Sequence, residues 1–325
     1  MKKLNHRAVI AVLILFLFLC FSFIFHLLGG FGRVFSYLEH QKQNTEDKHL
    51  SVEEVTITIP GLTNDYQFLY ISDTHVVTIS DTDTSDVNTY ANSRIPMFVN
   101  DERMTAARQF SGWISMANEQ NVDALLMGGD ILDCPSDSNM TFLAAQLLNL
   151  KVPYLYTLGN HDWTFPWAYL DDHAESYYRP LFAPYMDGNT AFHVIRLDGL
   201  NIAAIDNSSD QVNPAALEPL AELLAEGTPV ILLLHVPLYT EELAAKAVES
   251  WGNPIVLGEG GIAPNETSAS FLDMIYAEDS PVVAVLSGHI HFRAETALPN
   301  GIPQYVADSG YKGKGLLINV NGGSK

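Results

Sequence analysis

The chain begins with an unbroken apolar run, AVIAVLILFLFLCFSFIF over Ala8–Phe25, diluted only by Cys20 and Ser22. Extended to Leu28 it makes 21 residues, about 30 Å as a helix, which matches the hydrocarbon core of a bilayer. Residues 29–52 are polar and mixed, in the manner of a linker. From Val55 the period changes: VTITI alternates at period two, PGLTND turns, and YQFLYIS runs apolar up to Asp73. Residues 76–100 are rich in Ser, Thr, Asp and Asn without a clear period and predict a long loop. A helix is predicted over 101–119, where Met104, Ala107, Phe110, Trp113, Ile114 and Ala117 fall near one face. VDALLMGGD then reads as a short strand ending at Asp130, FLAAQLLNL as a helix, and VPYLYTLGNHD as a strand. AFHVIRLDGLNIAAID predicts a hairpin turning at Asp198-Gly199. AALEPLAELLAEG is a helix stopped by Gly227, PVILLLHVP a strand to His235, FLDMIYAED a helix, and PVVAVLSGHIH a strand to His289. The tail holds two or three further strands. Strands alternating with helices, the strands apolar on both faces, predict an α/β (α+β) fold with helices covering buried sheets.

Charge sharpens the organisation. Lys2, Lys3 and Arg7 precede the apolar run, and no acidic residue occurs before Glu39. His26-Leu-Leu-Gly-Gly follows the run without a small-x-small cleavage site, so an uncleaved signal anchor is expected. The basic residues place its N-terminus in the cytoplasm and the rest of the chain outside. The expected organisation is a cytoplasmic basic stub at 1–7, a transmembrane signal anchor at 8–28, a linker at 29–52 and one domain over 53–325. Of 325 residues 47% are hydrophobic, enough for a sizeable core. After Arg7 the chain carries 14 basic against 38 acidic side chains, a net −24. Such a surface repels phosphate backbones and attracts metal cations, so nucleic acid is a disfavoured partner. Cys20 and Cys134 are the only cysteines, which leaves the outer domain without an internal disulfide.

The polar residues of the apolar segments gather where strands end. YISDTH supplies Asp73 and His75, MGGD supplies Asp130, GNHD supplies Asn160, His161 and Asp162, LLLHVP supplies His235, and SGHIH supplies His289 and His291. In α/β sheets the carboxyl ends of strands converge on a ligand-binding crevice, so these clusters can meet in one site. A single histidine at a strand end ordinarily signifies nothing, but five of the eleven histidines fall in these clusters. Carboxylate, amide and imidazole without thiolate exclude a structural cysteine-zinc site and favour Mn, Fe or Zn. The donors are too many for one ion and suffice for two if a carboxylate bridges. A pair of divalent cations suits in-line displacement at phosphorus, activating water near neutral pH and clamping the phosphoryl oxygens.

At these residues the sequence resembles the calcineurin-like metallophosphoesterases, whose pattern is D-x-H, G-D-x-x-D, G-N-H-[DE], a lone H after a strand, and G-H-x-H. Here the matches are Asp73-Thr-His75, Gly129-Asp130-Ile-Leu-Asp133, Gly159-Asn160-His161-Asp162, His235 and Gly288-His289-Ile-His291, in the same order over about residues 66–310. The resemblance implies two stacked mixed β-sheets flanked by helices, a four-layer sandwich. It also implies a phosphoester hydrolase with two divalent metal ions, a bridging hydroxide for in-line attack, and a phosphorylated substrate. By the same resemblance Asp73, His75, Asp130 and His291 hold one ion. Asp130 bridges, and Asn160, His235 and His289 hold the other. His161 faces the substrate as acid and transition-state stabiliser, with Asp162 orienting its imidazole. Purple acid phosphatases carry Tyr where this chain has Asp133, so an iron–tyrosinate site is not expected and Asp133 reads as a helper of loop or ligand geometry.

Around these residues the sequence offers weaker candidates. Arg94 and Arg103 lie in or just after the long loop, where each either meets a phosphate or stays solvated. Trp163, Phe165 and Trp167 either stack on a base or aryl group or pack the loop. The run DTDTSD (81–86) lacks the glycine and glutamate of a calcium loop. Asp206, Asn207 and Ser208 either line the site or cap a turn. Two other functions compete with that of a membrane-anchored phosphoesterase: a metal-binding scaffold without catalysis, and a nuclease of the same superfamily.

Overall fold

The computed structural model describes residues 50–164 and 172–323. The signal anchor predicted over 8–28, its flanking stub and most of the linker lie outside the described residues, as do Phe165 and Trp167. Among the described residues no helix is long and apolar enough to cross a membrane.

Among the described residues eleven strands form two sheets. The first has the order β1 (Ser51–Thr58), β11 (Lys314–Asn321), β2 (Tyr66–Ile71), β3 (Ala124–Met127), β4 (Tyr154–Tyr156). It is mixed, since β11 is parallel to β1 but antiparallel to β2, and β2, β3 and β4 are parallel. The second has the order β5 (Phe192–Leu197), β6 (Leu200–Ile205), β7 (Val230–Leu233), β8 (Val282–Ser287), β10 (Pro303–Val306), β9 (Ala294–Ala297). Its centre is parallel and both edge pairs are antiparallel.

The uninterrupted apolar strands follow from this stacking. In β6, Leu200, Ile202 and Ala204 enter a core shared with Val55, Phe68, Leu126 and Ile318 of the first sheet. The intervening Ala203 and Ile205 face a second core with Leu220, Leu223, Phe271 and Ile275, from helices Leu217–Ala225 and Glu266–Tyr276. Side chains still alternate, but each face of the strand is dry. Each buried Val, Leu or Ile contributes about 1.5–3 kcal/mol relative to exposure. On the other side of the molecule helices Ala106–Gln120 and Asp137–Asn149 bury Phe110, Trp113 and Phe142. Strand β1 keeps the period-two alternation because only one of its faces is covered: Val55 and Ile57 are buried while Glu54, Thr56 and Thr58 are exposed.

The hairpin forms as expected, with Leu197 opposite Leu200 and Gly199 at φ +79°. The segment 76–100 departs from its expected loop. It contains a helix, Ser85–Arg94, capped by the Thr84 side chain accepting from the Val87 N–H, and a 3₁₀ turn, Ile95–Met97. Only Ala91 of that helix is buried, so there is no apolar stripe for a periodicity to reveal. The helix Glu241–Trp251, with Leu243, Ala244 and Ala247 buried, is likewise not among the expected elements.

Candidate metal centre

The strand ends converge as expected. Asp73 and His75 follow β2, Asp130 follows β3, Asn160 and His161 follow β4, His235 follows β7, and His289 and His291 follow β8. Their placement requires unusual backbone. Nine non-glycine residues among those described have positive φ, and five are Asp73 (52°), His75 (43°), Asp130 (50°), His289 (70°) and His291 (58°). Left-handed backbone at such residues is costly and persists where the surroundings over-determine it, typically at functional sites. Glycines make room beside them. A Cβ on Gly159 would collide with Asp130, and one on Gly129 (φ +89°) would lie 2.6 Å from His235 Nδ1.

Two groups of donors result. In the first, Asp73, His75, Asp130 and His291 bring one ligand atom each within 4.8 Å of the others; in the second, Asp130, His235 and His289 do the same. Asp130 belongs to both. Its Oδ1 accepts from the His161 N–H at 2.8 Å, while Oδ2 lies 3.6 Å from His75 Nε2 and 3.4 Å from His235 Nε2. Asn160 joins the second group with Oδ1 3.3 Å from His235 Nε2. Asp73 is fastened by the His289 N–H, at 3.1 Å and 2.9 Å to its two oxygens, and lies 3.3 Å from His291 Nε2.

The donor chemistry fits divalent cations. His235 Nδ1 donates to the Gly128 carbonyl at 2.9 Å, which turns its Nε2 lone pair inward. His75 Nδ1 sits 3.3 Å from Asp133 Oδ1, which does the same for its Nε2. Ring nitrogens then face one another closely: His75 Nε2 and His291 Nε2 at 3.1 Å, His235 Nε2 and His289 Nδ1 at 3.2 Å. Nitrogen and carboxylate donors gathered this way suit Mn, Fe or Zn. The buried carboxylates also demand positive charge. Burial alone lowers the pKa of His235, but Asp130 and Asp73 outweigh it and raise it to about 10. Burial together with the neighbouring His235 takes His289 down to about 3.

A third group, His75, Asp133 and His161, is of another kind. Asp133 is fully buried and already has a cation: Arg94 donates from Nε to Oδ2 and from Nη2 to Oδ1, both at 2.7 Å. Oδ1 also lies 3.0 Å from His161 Nδ1. Despite burial, Arg94, His161 and His75 hold this carboxyl well below the usual range. A carboxylate forked by arginine is a poor metal ligand and a good orienter.

This corrects the expected role of Asp162. Its carboxylate does not meet the imidazole; it accepts the Gly159 and Leu132 N–H groups, each at 2.8 Å. The physical reason is local. Asn160–Trp163 is one helical turn, where successive side chains point about 100° apart, so Asp162 caps the turn and His161 faces away from it. Burial and Asp130 raise the Asp162 pKa to about 7. The imidazole is held by Asp133 instead.

Two substrate-contact candidates are likewise relocated. Trp163 is 1% exposed, donates from Nε1 to Ser208 Oγ at 2.8 Å, and carries the Arg179 guanidinium 4.8 Å above its ring. It packs the loop, held by Ser208 and covered by Arg179. Arg94 is turned inward to Asp133. Arg103 carries left-handed backbone, φ +60°, in the turn before helix Ala106–Gln120. Asn207 supports the site: its Oδ1 accepts the His235 and Val236 N–H groups at 2.9 and 3.0 Å. The sequence left Asn207 ambiguous and gave no sign of Tyr90, Phe98 or Tyr311, which pack around the centre. Phe98 stacks on the His75 ring at 4.4 Å, and Tyr311 meets that ring edge-on at 6.1 Å.

The family model for calcineurin-like phosphoesterases matches residues 66–293. Among solved structures the chain is similar to a dimetal phosphatase from Danio rerio, with 13% identity, 76% of this chain and 88% of that chain covered, and a TM-score of 0.48. It is similar to a protein from Thermus thermophilus, with 14% identity, 76% and 91% covered, and a TM-score of 0.42. It is also similar to a purple acid phosphatase from yellow lupin seeds, with 12% identity, 82% and 45% covered, and a TM-score of 0.45. No curated protein sequence matches the chain.

Proposed function

The chain belongs to the calcineurin-like phosphoesterase family, and from that premise we propose that it hydrolyses phosphoesters with two divalent cations. Asp73, His75, Asp130 and His291 would hold one, and Asp130, Asn160, His235 and His289 the other. The observation that carries this reading is Asp130 Oδ2, poised between His75 Nε2 at 3.6 Å and His235 Nε2 at 3.4 Å. When bound, the two cations supply Lewis acidity at the phosphoryl oxygens and a water of lowered pKa.

The rest is done by the chain. Asp133 fixes His161 Nδ1, leaving Nε2 of a side chain 32% exposed as the atom that can pass a proton to the departing oxygen. Asp162 and Asn207 hold the turns that carry His161 and His235. The purified full-length protein, supplied with Mn, Fe or Zn, is expected to hydrolyse p-nitrophenyl phosphate or its bis ester. Absence of turnover with every metal, at full metal occupancy, would favour the scaffold alternative.

Location belongs to the same proposal. The apolar run 8–28 and the basic residues before it support a single-pass anchor with the catalytic domain outside the cytoplasm. Full-length chain should stay with membranes through a carbonate wash, and external protease should reach the domain in spheroplasts. Release by carbonate would overturn the anchor. The net −24 beyond Arg7 argues against a nuclease, and DNA should remain uncut under conditions that turn over the small esters.

A further inference from the structure

The helix of segment 76–100 reaches into the centre with two side chains. Tyr90 and Arg94 stand four residues apart and so lie on one face of Ser85–Arg94. Both end on Asp133: the Tyr90 hydroxyl donates to Oδ2 at 3.2 Å, and Arg94 spans the two oxygens from Nε and Nη2. Past the 3₁₀ turn, Phe98 slides under the Arg94 guanidinium at 4.8 Å and lies on the His75 ring at 4.4 Å with an interplanar angle of 2°. Asp133 in turn passes this hold on: its Oδ1 lies 3.0 Å from His161 Nδ1, which also faces the Asp133 backbone carbonyl at 3.3 Å, and 3.3 Å from His75 Nδ1.

We propose that Arg94 is a positioning residue for His161, and that Ser85–Phe98 is a strap whose function is to fix the Asp133 carboxylate. This rests on the hydrolase reading of the centre and adds to it a residue that touches no substrate. A single hydrogen bond would let the carboxylate rotate about its Cβ–Cγ bond. A guanidinium fork engages both oxygens in one plane and stops that rotation, so Oδ1 keeps one direction toward the two imidazoles. Lysine, a point charge, would preserve the ion pair and lose the plane.

The test uses the full-length, metal-loaded protein with Arg94→Ala, Arg94→Lys, Asp133→Asn and the Arg94→Ala/Asp133→Asn double variant. Arg94→Ala should lower kcat about 10²-fold with KM unchanged within about threefold, as expected for a misplaced catalytic group. Free guanidinium should restore at least tenfold of that loss, and Arg94→Lys should remain slow. The double variant should be no slower than Asp133→Asn, because Arg94 acts through Asp133. A readout without turnover comes from ¹⁵N-histidine spectra of the zinc-loaded protein, with His161 assigned by His161→Ala. Its Nδ1–H signal should be protected in wild type and shifted in both Arg94 variants, where the Asp133 carbonyl alone keeps a fixed place beside Nδ1. If Arg94→Ala does not fold, Arg94→Lys carries the same comparison. A raised KM at unchanged kcat would make Arg94 a substrate contact and overturn the proposal. So would an unaltered Nδ1–H signal in the Arg94 variants. If wild type hydrolyses nothing, the hydrolase reading fails while the Nδ1–H comparison still decides what Arg94 does.

Discussion

Asp130 divides its labour between two oxygens. Oδ1 is spent on the His161 N–H and Oδ2 faces both donor groups. Asp130→Asn keeps the shape but replaces a charged donor, so it should lower metal content measured by mass spectrometry from two equivalents to one or none. His161→Ala should instead keep both metals and lose about 10²–10⁴ in kcat, the usual contribution of a positioned acid. Metal loss in His161→Ala would mean the imidazole is a ligand. Cys134, beside the strap's anchor point, is 1% exposed, and burial together with Asp133 pushes its thiol up to about 12. Thiolate is the reactive form, so Cys134 should resist a disulfide reagent at pH 8 until denaturant is added. Rapid labelling of native protein would show that this loop opens.

At the scale of elements, the turn after β4 is held by its own third residue. Gly159 approaches Asp130 so closely that it has no room for a side chain, and Asp162 supplies the cap that Gly159 cannot. Asp162→Ala would leave the buried Gly159 and Leu132 N–H groups unpartnered, a loss of about 1–3 kcal/mol per group measured by urea unfolding. An unchanged midpoint would contradict the capping role. The strap illustrates the opposite case. Its helix is held by a cap and by polar contacts with Asp133, so an apolar period is absent although the helix is present. Element prediction from pattern works where one face must be dry, and here none is.

At the scale of the whole molecule, the donors come from both sheets. Asp73, His75, Asp130 and Asn160 follow strands of the first sheet, while His235, His289 and His291 follow strands of the second. Cations bound between them would tie the two layers together, and binding to the folded state alone adds about 4 kcal/mol per site at a thousandfold excess over Kd. Chelation should therefore lower the melting temperature of wild type markedly and that of Asp130→Asn much less. Equal shifts in the two proteins would mean the stabilising ion sits elsewhere.

The amino-acid sequence by itself determined the chemistry and most of the layers. Donor types and their positions after apolar strands are local properties, and residues such as Leu200–Ile205 read as buried on both faces because their composition leaves no wet side. The hairpin at Asp198-Gly199 was legible for the same reason, since its turn chemistry lies within two residues. What only the tertiary structure decided is which neighbour each polar group serves. Along the chain the adjacent Asp162 reads as the partner of His161, but in a helical turn their directions differ by about 100°, and the partner lies 28 residues away in Asp133, whose carboxylate is 3.0 Å and whose carbonyl is 3.3 Å from Nδ1. Arg94 reaches that carboxylate from 39 residues away, and Trp163 is buried against Ser208 and Arg179, 45 and 16 residues further along the chain. Such pairings depend on how loops of different strands meet above the sheets, and no spacing along the chain records that distance.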